Sequence, residues 1–195
     1  ANAVVVVESV VGMLVTAVSA GLVFAKFART TSRIRFARKA CVAPIDGVPT
    51  LMIRVGNERG NAVLDAVIRV TLTRTEKTKE GELYYRFYDL ELTRDRAPAL
   101  SRMWLALRPI RAPGPRSPPL PQVAREGGTE LGASVSALDD TTSQPVVARY
   151  RYLEDDIVFG ARPADVLRDE GGGRFVVDLR RFHTRTPTRA TAAFP

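Results

Sequence analysis

Few side chains in this sequence are suited to making or breaking bonds. A single histidine, His183, and a single cysteine, Cys41, stand in 195 residues. A cysteine metal site, a disulfide framework and most histidine-based triads are therefore excluded. The acids Asp139-Asp140 and Asp155-Asp156 are adjacent in sequence, and neighbours along a strand face opposite ways, so they read as turn or surface acids and not as general acid/base pairs. His183 follows Arg180 and Arg181 with no second ligand nearby and reads as structural. The triglycine Gly171 to Gly173 lies between a charged turn and a strand. No helix follows it, which rules out a phosphate cradle. The residues predict no catalytic group, no metal and no cofactor.

The chemistry that remains is that of charge beside an apolar run. From Ala3 to Ala25 the chain reads AVVVVESVVGMLVTAVSAGLVFA, with Glu8 as its only ionisable residue. A helix of some 20 apolar residues spans a bilayer core. A signal peptide would carry its positive charges before a shorter apolar region, and here they come after. The next stretch holds Lys26, Arg29, Arg33, Arg35, Arg38 and Lys39 without an acid. Such a block keeps the C-terminal bulk of the chain in the cytoplasm and lies where anionic headgroups are found, although topology alone would also explain it. Net charge is +8, but much of the excess sits beside the span, and no basic helical face or aromatic platform suggests nucleic acid.

Within the run, Gly12 and Gly21 interrupt β-branched residues and permit close helix approach or a bend. Thr16, Ala20 and Phe24 are four apart and share one face. A bulky residue at the cytoplasmic end of an otherwise small face can close a pore by dewetting when several copies converge. The alternative is that Phe24 is an aromatic anchor at the membrane interface.

After the basic block the period changes from helical to alternating. TLMIRVGNERG, AVLDAVIRVTLTRTEK and the segment after a turn at Glu80-Gly81 read as strands. The stretch from Arg108 to Gly128 is too rich in Pro and Gly for anything but a loop. Strands resume at ELGASVSAL and PVVARYRYL, joined by DDTTSQ, and again from Arg174 to Leu179. The final residues show no periodicity and read as a tail. The expected fold is a membrane α-helix followed by an all-β cytoplasmic domain, an antiparallel β-sandwich.

Several blocks together resemble one family. VVGMLVTAVSAGLVFAKFAR is similar to the inner helix of inward-rectifier potassium channels, particularly the prokaryotic branch. LMIRVGNERGNAVLDAVIRV, YDLELTRD, LDDTTSQ, YLEDDIVFGARPADVL and VVDLRRFH continue the resemblance in the family's order over about nine-tenths of the chain. The resemblance implies an immunoglobulin-like cytoplasmic sandwich and a homotetramer with potassium as the permeant ion, held in the cell membrane. It divides the chain into an inner helix (1–27), a basic linker (28–43), a sandwich (44–184) and a tail (185–195). Thr16 would line the pore where strong rectifiers carry an acid. Phe24, with Ala20, would form the gate, and Gly12 and Gly21 the hinges.

The same resemblance implies that Lys26, Arg29 and Arg59 meet anionic lipids and that Asp65 faces the cytoplasmic pore. Ser136 and Ala137 replace the family's acid-glycine pair, leaving Leu138 as the constriction. SPPL at Ser117 stands near the family's SPL sequence. No TxGYG-like filter occurs in the sequence, so the chain is expected to be a C-terminal portion of a longer channel. The competing expectation is a single-span anchored sandwich that binds a protein partner.

Overall fold

The structure, a computed structural model, describes residues 2–27, 33–110, 129–173 and 175–188. It separates into two units, Ala1–Thr31 and Ser32–Pro195. The first unit is one helix, α1 (Asn2–Phe27), unbroken at Gly12 and Gly21. Every side chain from Asn2 to Lys26 is exposed. Valine is a poor helix former in water because its branched Cβ crowds the preceding turn. In lipid each backbone N–H must be satisfied within the segment, and the helix is the form that does so. Its 26 residues extend about 39 Å, enough to cross with some tilt.

The second unit packs two five-stranded sheets face to face. The first holds β1 (Ile34–Phe36), β2 (Ala40–Ile45), β3 (Val48–Asn57), β7 (Met103–Pro109) and β10 (Ile157–Phe159). β3 is its spine: β2 and then β1 pair along one edge, and β7 pairs along the other. The second sheet runs β5 (Leu83–Leu90), β4 (Val63–Lys77), β8 (Thr129–Asp139), β9 (Pro145–Tyr152), with β6 (Arg96–Leu100) continuing the edge of β4 beyond β5. Leu51, Ile53 and Val55 of one sheet meet Ile68, Val70, Leu72, Leu131 and Val135 of the other, each at most 2% exposed. Tyr152 closes this core, its hydroxyl donating to the Ala37 carbonyl at 2.8 Å. Burial pushes that phenol's pKa up.

A second, smaller cluster of Cys41, Ala43 and Met52 lies beside Ile45, Leu105 and Leu107. β11 (Ala161–Pro163) packs near it, against β2 and β3, and pairs with β14 (Arg185–Pro187). The first sheet is thus covered on both faces along part of its width. That is why β3 is buried at eight consecutive positions where a half-exposed strand would alternate.

Several expectations change in detail. The sandwich fold is present, but β10 runs parallel to β2, so the first sheet is mixed. β1 and most of β2 fall inside the stretch read as linker, 28–43, and β14 falls inside the stretch read as tail, 185–195. Strands of three residues carry no readable period, and partners far along the chain create them. β7 continues through Arg108 and Pro109, where a loop was expected; residues 111–128, including Ser117, lie outside those described. The last strand of the 174–179 stretch is β13 (Phe175–Val177), paired with β12 (Leu167–Asp169). Leu179 instead opens a 3-10 turn (Leu179–Arg181), capped by the Asp178 carboxylate accepting from the Arg180 amide.

Candidate functional site

On α1, Thr16, Ala20 and Phe24 lie in one row along the helix, and Phe24 is 80% exposed. The Thr16 hydroxyl donates to the Gly12 carbonyl at 2.9 Å. That bond satisfies its proton internally, a back-bond of the kind that bends helices slightly. A Cβ at Gly12 or Gly21 would meet nothing within 4 Å, so no steric demand within the chain requires glycine at either place. Lys26 stands exposed in the last turn, where a cation complements the helix dipole. Arg29 lies outside the described residues.

In the sandwich, two motifs far apart in sequence form one polar cluster. The loop Asn57 to Asn61 meets the turn that follows β8. Asp139, only 2% exposed, is the hub. Its Oδ1 accepts from the Thr141 and Thr142 amides at 3.1 and 3.0 Å and from the Thr142 hydroxyl at 3.1 Å. Its Oδ2 accepts from Asn61 Nδ2 at 3.0 Å and from Arg59 Nη1 at 3.2 Å. Asp140 beside it is exposed and accepts from Asn61 Nδ2 and the Ala62 amide. The two acids do belong to a turn, as their spacing suggests, but one of them is buried. Asp-x-Thr is a side-chain-to-backbone turn signal that points to this role in hindsight. Arg59 thus holds a structural ion pair with about a third of its side chain exposed.

The amide of Thr142, foremost among these donors, holds the Asp139 carboxyl below its ordinary value of 3.8. A carboxylate whose folded pKa is depressed stabilises the fold fully above the unfolded value and loses that contribution as pH falls through the folded one. The melting temperature should therefore drop on acidification below pH 3.8. In Asp139→Asn it should start lower at neutral pH and fall less steeply. Thermal melts across that range test this, and parallel curves for the two proteins would remove Asp139 from the acid response.

Close to this cluster β4 is irregular. Its register with β8 shifts between Leu64 and Val67, and Asp65 takes φ +46°. Aspartate tolerates this left-handed conformation better than most residues. The result is a β-bulge that leaves Leu64 and Asp65 both facing solvent. None of the ion pairs among the described residues uses Asp65. Leu138 sits opposite Leu64 and is 45% exposed.

The histidine has a structural place. His183 Nδ1 accepts from the Arg38 amide at 3.3 Å, and its ring meets Phe182 edge-on at 5.1 Å. Burial, with Arg38, Arg35 and Arg54 nearby, lowers its pKa against the opposing effect of Glu58. Arg35, Glu58 and Leu179 line the same small cleft. Phe182 presses on β3 at Gly56, where a Cβ would come within 2.7 Å of the ring. Among the described residues no group of three or more His, Cys, Asp or Glu is arranged to hold a metal.

Known proteins resemble this chain over most of its length. Residues 34–193 match the family model described as the inward rectifier potassium channel C-terminal domain. The chain is 34% identical over 183 residues to the inward rectifier potassium channel Kirbac3.1 of Paramagnetospirillum magnetotacticum, covering 94% of this chain and 62% of that one. It is 30% identical over 187 residues to ATP-sensitive inward rectifier potassium channel 12 of Gallus gallus, covering 92% and 43%. Against G protein-activated inward rectifier potassium channel 1 of Homo sapiens the identity is 31% over 184 residues, covering 90% and 36%. The chain therefore spans less than two thirds of the length of these relatives.

Proposed function

Since the chain belongs to the inward rectifier potassium channel family, a family of channels and not of enzymes, we propose that it supplies the pore-lining helix and the cytoplasmic pore domain of a tetrameric potassium channel in the cell membrane. One observation carries this reading. The similarity to the bacterial relative covers 94% of the chain, so it extends through the sandwich into α1. Four copies of α1 converge on an axis with Thr16 lining the pore and Phe24, behind Ala20, closing it. The exposure of the whole helix supports this, because so apolar a surface needs lipid and neighbouring helices around it. Gly12 and Gly21 serve bending or close approach, which fits the open space around them.

Four copies would multiply a net charge of +8, so a cation path depends on local placement of acids. Asp65, exposed and in none of the ion pairs among the described residues, is the acid we assign to the axis. Lys26 and Arg29 meet anionic lipid, and Arg59 couples the neighbouring turn to that surface through Asp139. Such contact moves the gate only if lipid binds one state better than the other. Selectivity belongs to a filter of backbone carbonyls elsewhere in the full-length polypeptide.

The test is reconstitution of the full-length polypeptide into liposomes, with light scattering in detergent for its mass. A four-subunit particle that passes potassium, with a flux that responds to anionic lipid and loses the response in Lys26→Gln/Arg29→Gln, is the expected result. A monomer without flux would instead favour an anchored module that binds a protein partner.

A further inference from the structure

β4 takes a strained conformation to hold a leucine out of the core. From Ala66 to Leu72 its even-numbered residues point inward and are buried. Continued without interruption, that alternation would bury Leu64. The bulge inserts one residue, Asp65 in the left-handed region, so Val63 takes the inward place at 4% exposure and Leu64 turns out at 43%. A fold gains by burying leucine and loses by placing a non-glycine residue at positive φ. Strain of this kind persists where it serves a function.

Leu64 does not face outward alone. Its partners across the sheet are Ala99 on β6 and Leu138 on β8, and Leu138 is paired in turn with Pro145 on β9. Directly paired residues share a face, so Ala99, Leu64, Leu138 and Pro145 form one apolar row across four strands. All four are exposed. The inward neighbours Ala137 and Asp139 are buried, so the row is a ridge on the outer face and does not extend the core.

We propose that Leu64 and Leu138 together form an apolar collar around the ion path, with Leu64 an unassigned half of the constriction. This rests on the tetrameric channel reading. Three further copies of this chain complete the ring around the axis, and Asp65, one residue along, holds a ring of carboxylates beside it. An apolar ring next to an acidic one concentrates cations and then resists their passage by dewetting when narrow.

Two variants of the full-length channel in liposomes test the collar. Leu64→Asn should wet the ring and raise potassium flux several-fold, and combining it with Leu138→Asn should add less than the two single effects, as expected of side chains in one constriction. Leu64→Cys should make flux sensitive to cadmium, since several soft thiolates facing one axis bind such an ion. Cys41, the one cysteine in this sequence, is buried and its thiol is pushed up by burial, so the cadmium effect of Leu64→Cys is read against the unsubstituted channel. Potassium flux that is unchanged in Leu64→Asn and indifferent to cadmium in Leu64→Cys, with both variants still tetrameric, would overturn the collar while leaving the channel reading intact. An unsubstituted protein that passes no potassium would overturn both.

Discussion

Phe24→Ala in the full-length channel should raise open probability by on the order of tenfold, about 1.4 kcal/mol of gate equilibrium. Phe24 stands at the C-terminal end of a row whose other members, Thr16 and Ala20, are small. Its ring is the one large group that four converging helices would bring together there, and it is 80% exposed on the isolated helix. Removing it leaves alanine at both position 20 and position 24, one turn apart, too little apolar bulk to exclude water. Single-channel recording in planar bilayers reads the effect directly. Phe24→Leu, which keeps an apolar plug, should fall between the two. An unchanged record together with a lower melting temperature would make Phe24 an interface anchor and move the closure to the collar at Leu64 and Leu138.

Arg54→Met should cost the sandwich about 3 kcal/mol, since each buried acceptor deprived of its donor loses roughly 1–3 kcal/mol. Arg54 is on β3 and only 3% exposed. Its Nη1 donates to the carbonyls of Phe182 at 3.1 Å and Arg181 at 3.4 Å, and Nη2 donates to the carbonyl of Ala164. Burial lowers its pKa, with Asp165 acting in the opposite sense. One guanidinium thus ties two parts of the C-terminal segment to the first sheet through the buried carbonyls of Phe182 and Ala164, while the Arg181 carbonyl also accepts from the Thr184 amide at 3.0 Å. For a domain of this size the loss corresponds to a fall of roughly 6–12 °C in melting temperature. Hydrogen exchange should rise first at the Ala164 amide, which donates to the Thr184 carbonyl at 2.9 Å, and at the Thr184 amide, which donates to the Arg181 carbonyl at 3.0 Å. Arg54→Lys, which keeps one donor group, should recover part of the loss. A melting temperature unchanged in Arg54→Met would show that packing alone holds the segment.

Local pattern made much of this legible in advance. The apolar run specifies a helix long and apolar enough to cross a membrane, because length and composition alone set that property. The alternation in β4, β8 and β9 specifies half-buried strands, because a sheet with one covered face imposes a period of two. The ordered blocks from VVGMLV to VVDLRRFH specify the family. Pairing between distant residues decided the rest. β1, β11 and β14 are strands only because their partners lie elsewhere in the chain. Nothing in the local pattern marks Arg54 as buried beneath the C-terminal segment, and Asp139 reads as a turn or surface acid until the Asn57 to Asn61 loop closes over it. Leu64 would be core if the alternation from Ala66 to Leu72 continued, and one inserted residue turns it outward. Periodicity reports which face a residue takes while register holds, and it carries no record of where register shifts or of which distant group arrives to satisfy a buried charge.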